Sequence, residues 1–350
     1  MRPRHYLSII VLLFLTAGSF SIVSAADLPD IHILATGGTI AGTAENASEL
    51  GHYQAGNLSV ATLISSVPEM STYARVTGEQ ICNLNSDEIT PMIWLRLANR
   101  VNELLKSPDV DGVVITHGTD TLEETAYFLN LAVKSDKPVV ITGAMRPATA
   151  ISADGPLNLL NAVILAGSHD AAGKGVLILL NGEINGARDT TKTNTEMVET
   201  FRSPDFGLFG YMDNEVPKFY RESLKLHTSG TDFDVSSLKS LPKVDIVLLY
   251  PGADQTAIDA FVANSTEGLV VASMGNGGYQ AEVRSALLDV VNKGIPVVIS
   301  SRTGTGVCTP EDPEFIPADT LTPQKARVLL MLALTRTNNQ DEIAEMFREY

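Results

Sequence analysis

Asp111-Gly112-Val113-Val114-Ile115-Thr116-His117-Gly118-Thr119-Asp120-Thr121 decides the fold. An apolar, β-branched run enters a glycine turn, and residues 122–133 continue with helical apolar spacing. A strand that turns through glycine into a helix is the repeating unit of a parallel sheet, because parallel neighbours need a crossover, usually helical. Upstream, Ile31-His32-Ile33-Leu34-Ala35 is a second strand that also ends in a glycine turn. Downstream, residues 138–142 and 176–180 read as strands. Between them, residues 88–106 place Ile93, Leu97, Val101 and Leu105 four apart on one helical face, with Pro91 suited to the first turn; these are core residues. The alternation predicts an α/β protein with a mostly parallel sheet and helices on both faces.

The pattern weakens over residues 211–242, a polar stretch with Pro217, Gly230 and Pro242 that reads as a connection. Strands return at 244–250, 268–272 and 296–300, and helices at 281–293, 323–335 and 341–350. Two α/β domains are expected: a larger N-terminal one over residues 26–215, a linker over 216–242, and a smaller parallel-sheet domain over 243–350. Residues 1–25 stand apart. Arg2, Arg4 and His5 precede an apolar run over 7–15, and Val23-Ser24-Ala25 has the small-x-small form of a cleavage site. This predicts a secretory signal peptide cut after Ala25 and a periplasmic protein. A membrane anchor is the alternative, but the run is short for a span of about 20 residues.

Of the 350 residues, 44% are hydrophobic and 19% charged, the proportions of a globular chain. Without residues 1–25, 23 bases face 41 acids, a net charge of −18. Such a surface repels nucleic acid and anionic lipid, and after cleavage nothing else is apolar for long enough to span a membrane. The two cysteines, Cys82 and Cys308, allow one disulfide or two buried thiols, and no Cys–His spacing suggests zinc.

Open α/β sheets bind ligands where loops leave the carboxyl ends of strands, and the Gly-rich loops sit at that edge; three polar segments stand out. The first is Ala35-Thr36-Gly37-Gly38-Thr39-Ile40-Ala41-Gly42: paired glycines permit a tight turn, and a hydroxyl follows at Thr39. It is neither a dinucleotide fingerprint nor a Walker loop, and alone it is an ordinary glycine turn. The second, Thr116-His117-Gly118-Thr119-Asp120-Thr121, sets a hydroxyl beside a carboxylate at a helix start, where helix capping, ligand binding and catalysis are all open to them. His117 lacks a second histidine at ligand spacing. The third is Asp189-Thr190-Thr191-Lys192-Thr193-Asn194-Thr195; Lys192 is a solvated surface lysine, or a base if buried. Two threonines, an acid and a lysine hold the parts for nucleophilic amide hydrolysis without histidine, and no G-x-S-x-G elbow is present.

From Ile31 to the C-terminus the chain resembles the bacterial type II (periplasmic) L-asparaginases of the asparaginase/glutaminase family. The resemblance rests on residues 34–42, 111–129, 137–156, 191–195 and 323–335 in that order. It implies hydrolysis of the side-chain amide of L-asparagine to aspartate and ammonia, without metal or cofactor. Thr39 would be the nucleophile. Tyr53, in the polar loop 44–57 where the family has a lid, would activate it. Thr119, Asp120 and Lys192 would form a second, proton-transferring set. Ser86 would hold the substrate carboxylate, Asp87 and Asp120 its ammonium, and backbone at Gly118, Thr119 and Ala144 would face the amide. Asp87 departs from the family's usual Gln or Glu, which leaves the preference between asparagine and glutamine open. The resemblance also implies a homotetramer in which Asn276 and an acid from residues 303–317 (Glu311, with Glu314 the other candidate) reach a neighbouring protomer's site. Two rivals remain: a glutaminase–asparaginase of broad specificity, and a periplasmic amino-acid-binding protein that does no chemistry.

Overall fold

The computed structural model describes residues 28–51 and 53–350; the expected signal peptide lies outside the described residues. In the larger domain the strands are β1 (Asp30–Gly37), β2 (Arg75–Leu84), β3 (Gly112–Thr116), β4 (Val139–Thr142), β5 (Val176–Leu180), β6 (Glu183–Gly186), β7 (Thr191–Lys192), β8 (Phe201–Arg202), β9 (Gly210–Asp213) and β10 (Val216–Phe219). The helices are α1 (Val60–Ser65), α2 (Pro91–Lys106), α3 (Leu122–Ala132) and α4 (Gly155–Ala166). Eight strands form one sheet in the order β10-β9-β6-β5-β4-β3-β1-β2, while β7 and β8 pair apart from it. From β2 to β5 the neighbours are parallel; β6, β9 and β10 add an antiparallel edge.

The parallel strands β3, β4 and β5 are buried along their whole length, as both-face coverage demands. On one face lie Trp94, Leu97 and Val101 of α2 with Phe128 and Leu131 of α3; on the other, Leu63 of α1 with Leu159 and Val163 of α4. In α3 every residue but Glu124 is buried, because the helix is caught between the sheet and a helix of the second domain. Burying a side chain such as Phe128 or Leu129 contributes about 1.5–3 kcal/mol each.

The second domain holds β11 (Val244–Leu248), β12 (Gly268–Ser273), β13 (Val297–Ser301) and β14 (Ile316–Pro317), all parallel in that order. Its helices are α5 (Thr256–Ala263), α6 (Ala281–Asn292), α7 (Pro323–Ala333) and α8 (Gln340–Glu349). The chain therefore forms two α/β domains, a larger with a mostly parallel sheet and a smaller all-parallel one. They meet through α7, which packs on α3 as well as on β11 and β12.

Two differences from the sequence reading have local causes. Val216–Phe219, placed in the connection, pairs with Gly210–Asp213 as the sheet's edge strand. Its half-exposed pattern, with Pro217 and Lys218, is what an edge tolerates and gives no apolar run to read. The helix expected from residue 88 starts at Pro91, since Thr90 is held extended (ψ 161°) before the proline, and Ser86–Glu88 forms a separate 3-10 turn.

Candidate active site

The three polar segments converge at the carboxyl edge of the large sheet, and glycines are what let them meet. After β1 the chain passes through Gly37 (φ 108°) and Gly38 (φ 78°), conformations that disfavour side chains. A Cβ on Gly38 would stand 2.3 Å from Cα of Gly118, and one on Gly118 would stand 2.8 Å from Oγ of Ser86. The turns after β1 and β3 thus touch backbone to backbone, the Ser86 side chain after β2 packs on Gly118, and the Gly38 amide donates to the Leu84 carbonyl at the end of β2 (2.9 Å). Thr39 and Thr119 each follow one of the touching glycines, at 7% and 5% exposure.

Thr39 begins a short 3-10 turn. Its Oγ1 lies 2.6 Å from Tyr53 Oη, either group being able to donate. Tyr53 is returned to this position by a bridge in which the backbones of Thr43 and Gln54 exchange hydrogen bonds, and its ring lies against Gly42. The loop between is tied further: Asn57 donates to Thr43 Oγ1 (2.7 Å) and the Ala44 amide to Thr149 Oγ1 (2.9 Å).

Across the glycine contact, Lys192 Nζ donates to Thr119 Oγ1 (2.9 Å) and to Asp120 Oδ1 (2.6 Å). The lysine side chain is 14% exposed and that of Asp120 69%, so the pair has a sheltered cation and an open carboxylate. Ser86 is buried; its Oγ accepts from the Asp120 amide (3.1 Å), and its carbonyl accepts from Thr121 Oγ1 (2.7 Å). Among the described residues none accepts a hydrogen bond from the Ser86 hydroxyl. Beside it, Asp87 is exposed.

Ala144 is fully buried, and the chain around it is fixed by Asp154, whose carboxylate accepts from the Met145 and Arg146 amides (both 2.9 Å). Asn158 donates to the Gly143 carbonyl (3.0 Å). Neither residue was singled out from sequence, although Asp154 stands within the segment 137–156 that carries the resemblance.

His117 is a structural part of the second turn. Trp94 Nε1 can only donate, so Thr125 Oγ1 accepts from it (2.9 Å) and passes its own proton toward His117 Nε2 (3.0 Å). His117 Nδ1 then donates to the Gly118 carbonyl (2.7 Å). Burial pushes the imidazole down to about 4, which keeps it neutral in this role.

Among the described residues, those of the second domain expected to serve a neighbouring site make no hydrogen bond to this cluster. Asn276 is engaged with Thr309, donating to Oγ1 (2.9 Å) and accepting from the amide (2.7 Å). Glu311 and Glu314 are both exposed. Between them Asp312 is committed to Arg284 and Tyr279, so it is the two glutamates that present free carboxylates. Cys82 and Cys308 are unpaired thiols. Among the described residues no group of three or more His, Cys, Asp or Glu could hold a metal ion, and no helix is long and apolar enough to cross a membrane. A concavity of about 730 Å³ bounded by Arg75, Asp111, Lys137 and His169 lies at the opposite edge, where β2 to β4 begin, away from the hydroxyl pairs.

Residues 30–225 match the family described as "Asparaginase, N-terminal", and residues 243–347 the "Glutaminase/Asparaginase C-terminal domain". The chain belongs to the asparaginase/glutaminase family. Within it the chain stands close to the type II L-asparaginases. It is 51% identical over 328 residues to L-asparaginase 2 of Bacillus subtilis (strain 168), covering 93% of this chain and 87% of that one. It is 48% identical over 337 residues to a "Probable L-asparaginase periplasmic" of Haemophilus influenzae, covering 94% and 95%. Among solved structures, a "Probable Cytoplasmic L-asparaginase from Campylobacter jejuni" superposes with a TM-score of 0.90 at 47% identity, covering 92% of this chain and all of that one. That structure corrects the periplasmic location expected from residues 1–25. An asparaginase of this fold and this likeness is described as cytoplasmic, so family and fold carry no compartment, and the periplasmic assignment is withdrawn.

Proposed function

We infer that the protein is an L-asparagine amidohydrolase that releases L-aspartate and ammonia from the side-chain amide. The observation that carries the reading is the pairing of two threonine hydroxyls, Thr39 with Tyr53 and Thr119 with Lys192, on either side of the Gly38–Gly118 contact. A protein that only binds an amino acid has no use for two threonines each held against a proton-transfer partner.

Thr39 Oγ1 attacks the amide carbon while its proton passes to Tyr53 Oη and the phenol's own proton passes on to solvent. Thr119 accepts a hydrogen bond from Lys192, which leaves its own hydroxyl proton to go to the departing nitrogen; Lys192 restores it. Carbon–nitrogen cleavage releases ammonia and leaves an aspartyl ester on Thr39. Water then attacks the ester, and the proton path runs in reverse. Ser86 donates to the substrate carboxylate, while the open carboxylates of Asp120 and Asp87 face its ammonium. Gly118 and Ala144 supply rigid backbone beside the reacting amide. Holding both charged ends of so short a substrate orients the amide before reaction. Asn276 and Glu311 are assigned to a neighbouring protomer's site in a homotetramer, supported by the family resemblance and by their lying outside the chain's own cluster.

Asp87 bears on a broader glutaminase–asparaginase reading. A shorter arm than Gln or Glu leaves room for a longer substrate, and one methylene is worth only about 1–3 kcal/mol of discrimination. Ammonia release on mixing with L-asparagine and L-glutamine, compared as kcat/KM, tests both points. Turnover of asparagine supports the reading, a margin of about 10-fold or more over glutamine makes it an asparaginase proper, and no ammonia from either substrate rejects it.

A further inference from the structure

Lys325 is a fully buried cation that belongs to one domain and is bonded to the other. It sits on α7, yet its Nζ donates to the carbonyls of Ala187 (2.9 Å), Arg188 (2.9 Å) and Thr190. An ammonium has three protons, and these three carbonyls take all of them. The carbonyls belong to the turn between β6 and β7, and Lys192 on β7 follows the last of them by two residues.

Three carbonyls turned toward one point repel one another, and buried without a donor each would lose its hydrogen bond. The turn therefore takes this shape because a cation stands inside it. Glu123 and Asp189 balance the charge from nearby, and although burial draws the ammonium down to about 8, it stays protonated at neutral pH. The rest of the turn is fastened in the same sense. Thr190 Oγ1 donates to the Gly186 carbonyl (2.5 Å), and Arg188 Nη1 donates to Thr320 Oγ1 (2.8 Å), a second tie to the C-terminal domain. Beyond the turn only the two-residue pairing with β8 lies between these anchors and the Lys192 side chain.

Resting on the function proposed above, we propose that Lys325 is a positioning residue for Lys192: from the C-terminal domain it shapes the 187–190 turn so that the Lys192 ammonium reaches Thr119 and Asp120. It touches no substrate and acts through Lys192. The C-terminal domain thereby sets the geometry of the N-terminal domain's site within a single chain.

A double-mutant cycle on folded protein tests this, with ammonia release from L-asparagine measured for the parent, Lys325→Met, Lys192→Met and the double variant, and folding checked by circular dichroism. Lys325→Met is expected to lower kcat about 100-fold with KM changed by less than about threefold. The double variant is expected to match Lys192→Met, because misplacing a side chain already removed costs nothing more. A kcat for Lys325→Met within about threefold of the parent overturns the proposal. So does a double variant in which the two losses multiply, the result a general loosening of the protein would give. If Lys325→Met does not fold, Lys325→Gln, which keeps a donor in the cavity, takes its place under the same criteria. If the parent itself releases no ammonia, the functional reading fails separately, and a crystal structure of the variant decides positioning. A Lys192 Nζ displaced from Thr119 and Asp120 supports the proposal, and unchanged contacts overturn it.

Discussion

Gly38 and Gly118 touch backbone to backbone: a Cβ built on the first would stand 2.3 Å from Cα of the second. The two residues are 80 positions apart, and each immediately precedes one of the two threonines around which the site is built. Their contact sets how far apart the Thr39 turn and the Thr119 turn can be.

Gly38→Ala should therefore damage chemistry more than folding. The methyl meets backbone, which cannot swing away, and φ is 78°. The turns must separate by the better part of an ångström, and a displacement of that size costs on the order of 100-fold in rate. Kinetics alongside circular dichroism check this; parental kcat in the variant would mean that the turns can part without consequence.

Tyr53→Phe removes the hydroxyl 2.6 Å from Thr39 Oγ1 and keeps the ring that lies on Gly42. A lost proton acceptor should lower kcat by about 100-fold or more with little change in KM. If KM rises and kcat holds, the tyrosine serves to close the loop over the substrate instead.

Lys192→Met retains the aliphatic stem and deletes the donor to Thr119 and Asp120. The expected loss in kcat is about 100- to 10,000-fold. A variant that keeps its kcat and loses only affinity would make Lys192 a binding group.

Two groups shifted by burial, His117 fully and Glu124 partly enclosed, act on stability in opposite senses over almost the same pH range. The folded His117 imidazole titrates at about 4, against an ordinary 6.5. Between those values the unfolded chain binds a proton that the folded one refuses, so this contribution is present above 6.5 and lost as pH falls, by up to about 3 kcal/mol. Burial pushes the Glu124 carboxyl up from 4.5 to about 7. The folded chain there keeps a proton that the unfolded one has lost, so its contribution is full below 4.5 and lost as pH rises toward 7. Urea denaturation across pH 4.5 to 6.5 should show stability rising more steeply with pH in Glu124→Gln than in the parent, and less steeply in His117→Gln. Parallel curves for all three proteins would contradict both assignments.

Much of this was legible in the sequence because it is local. Strand β5 lies at residues 176–180 as read, and β3, β4, β12 and β13 fall within a residue of the readings at each end, since apolar β-branched runs between glycines carry their own boundaries. The hairpin after β5 was legible too, and was missed: Asn181 and Gly182 both have positive φ (53° and 75°), the signature of a two-residue turn. The candidate roles of Thr39, Tyr53, Thr119, Asp120 and Lys192 were readable only through the family's motifs. What supports them was not readable at all. Trp94 reaches His117 through Thr125, and Lys325 meets carbonyls some 135 residues before it. Such pairings depend on which helix lands on which turn, and no periodicity or spacing encodes that.

The proposed role of Thr39 stands or falls on the rate of ammonia release from L-asparagine by Thr39→Ala. The variant is expected to fold, to bind asparagine and to turn it over at least about 1,000-fold more slowly than the parent, because the proposed attacking oxygen is gone. Turnover near the parental rate would place the nucleophile elsewhere and overturn the threonine mechanism.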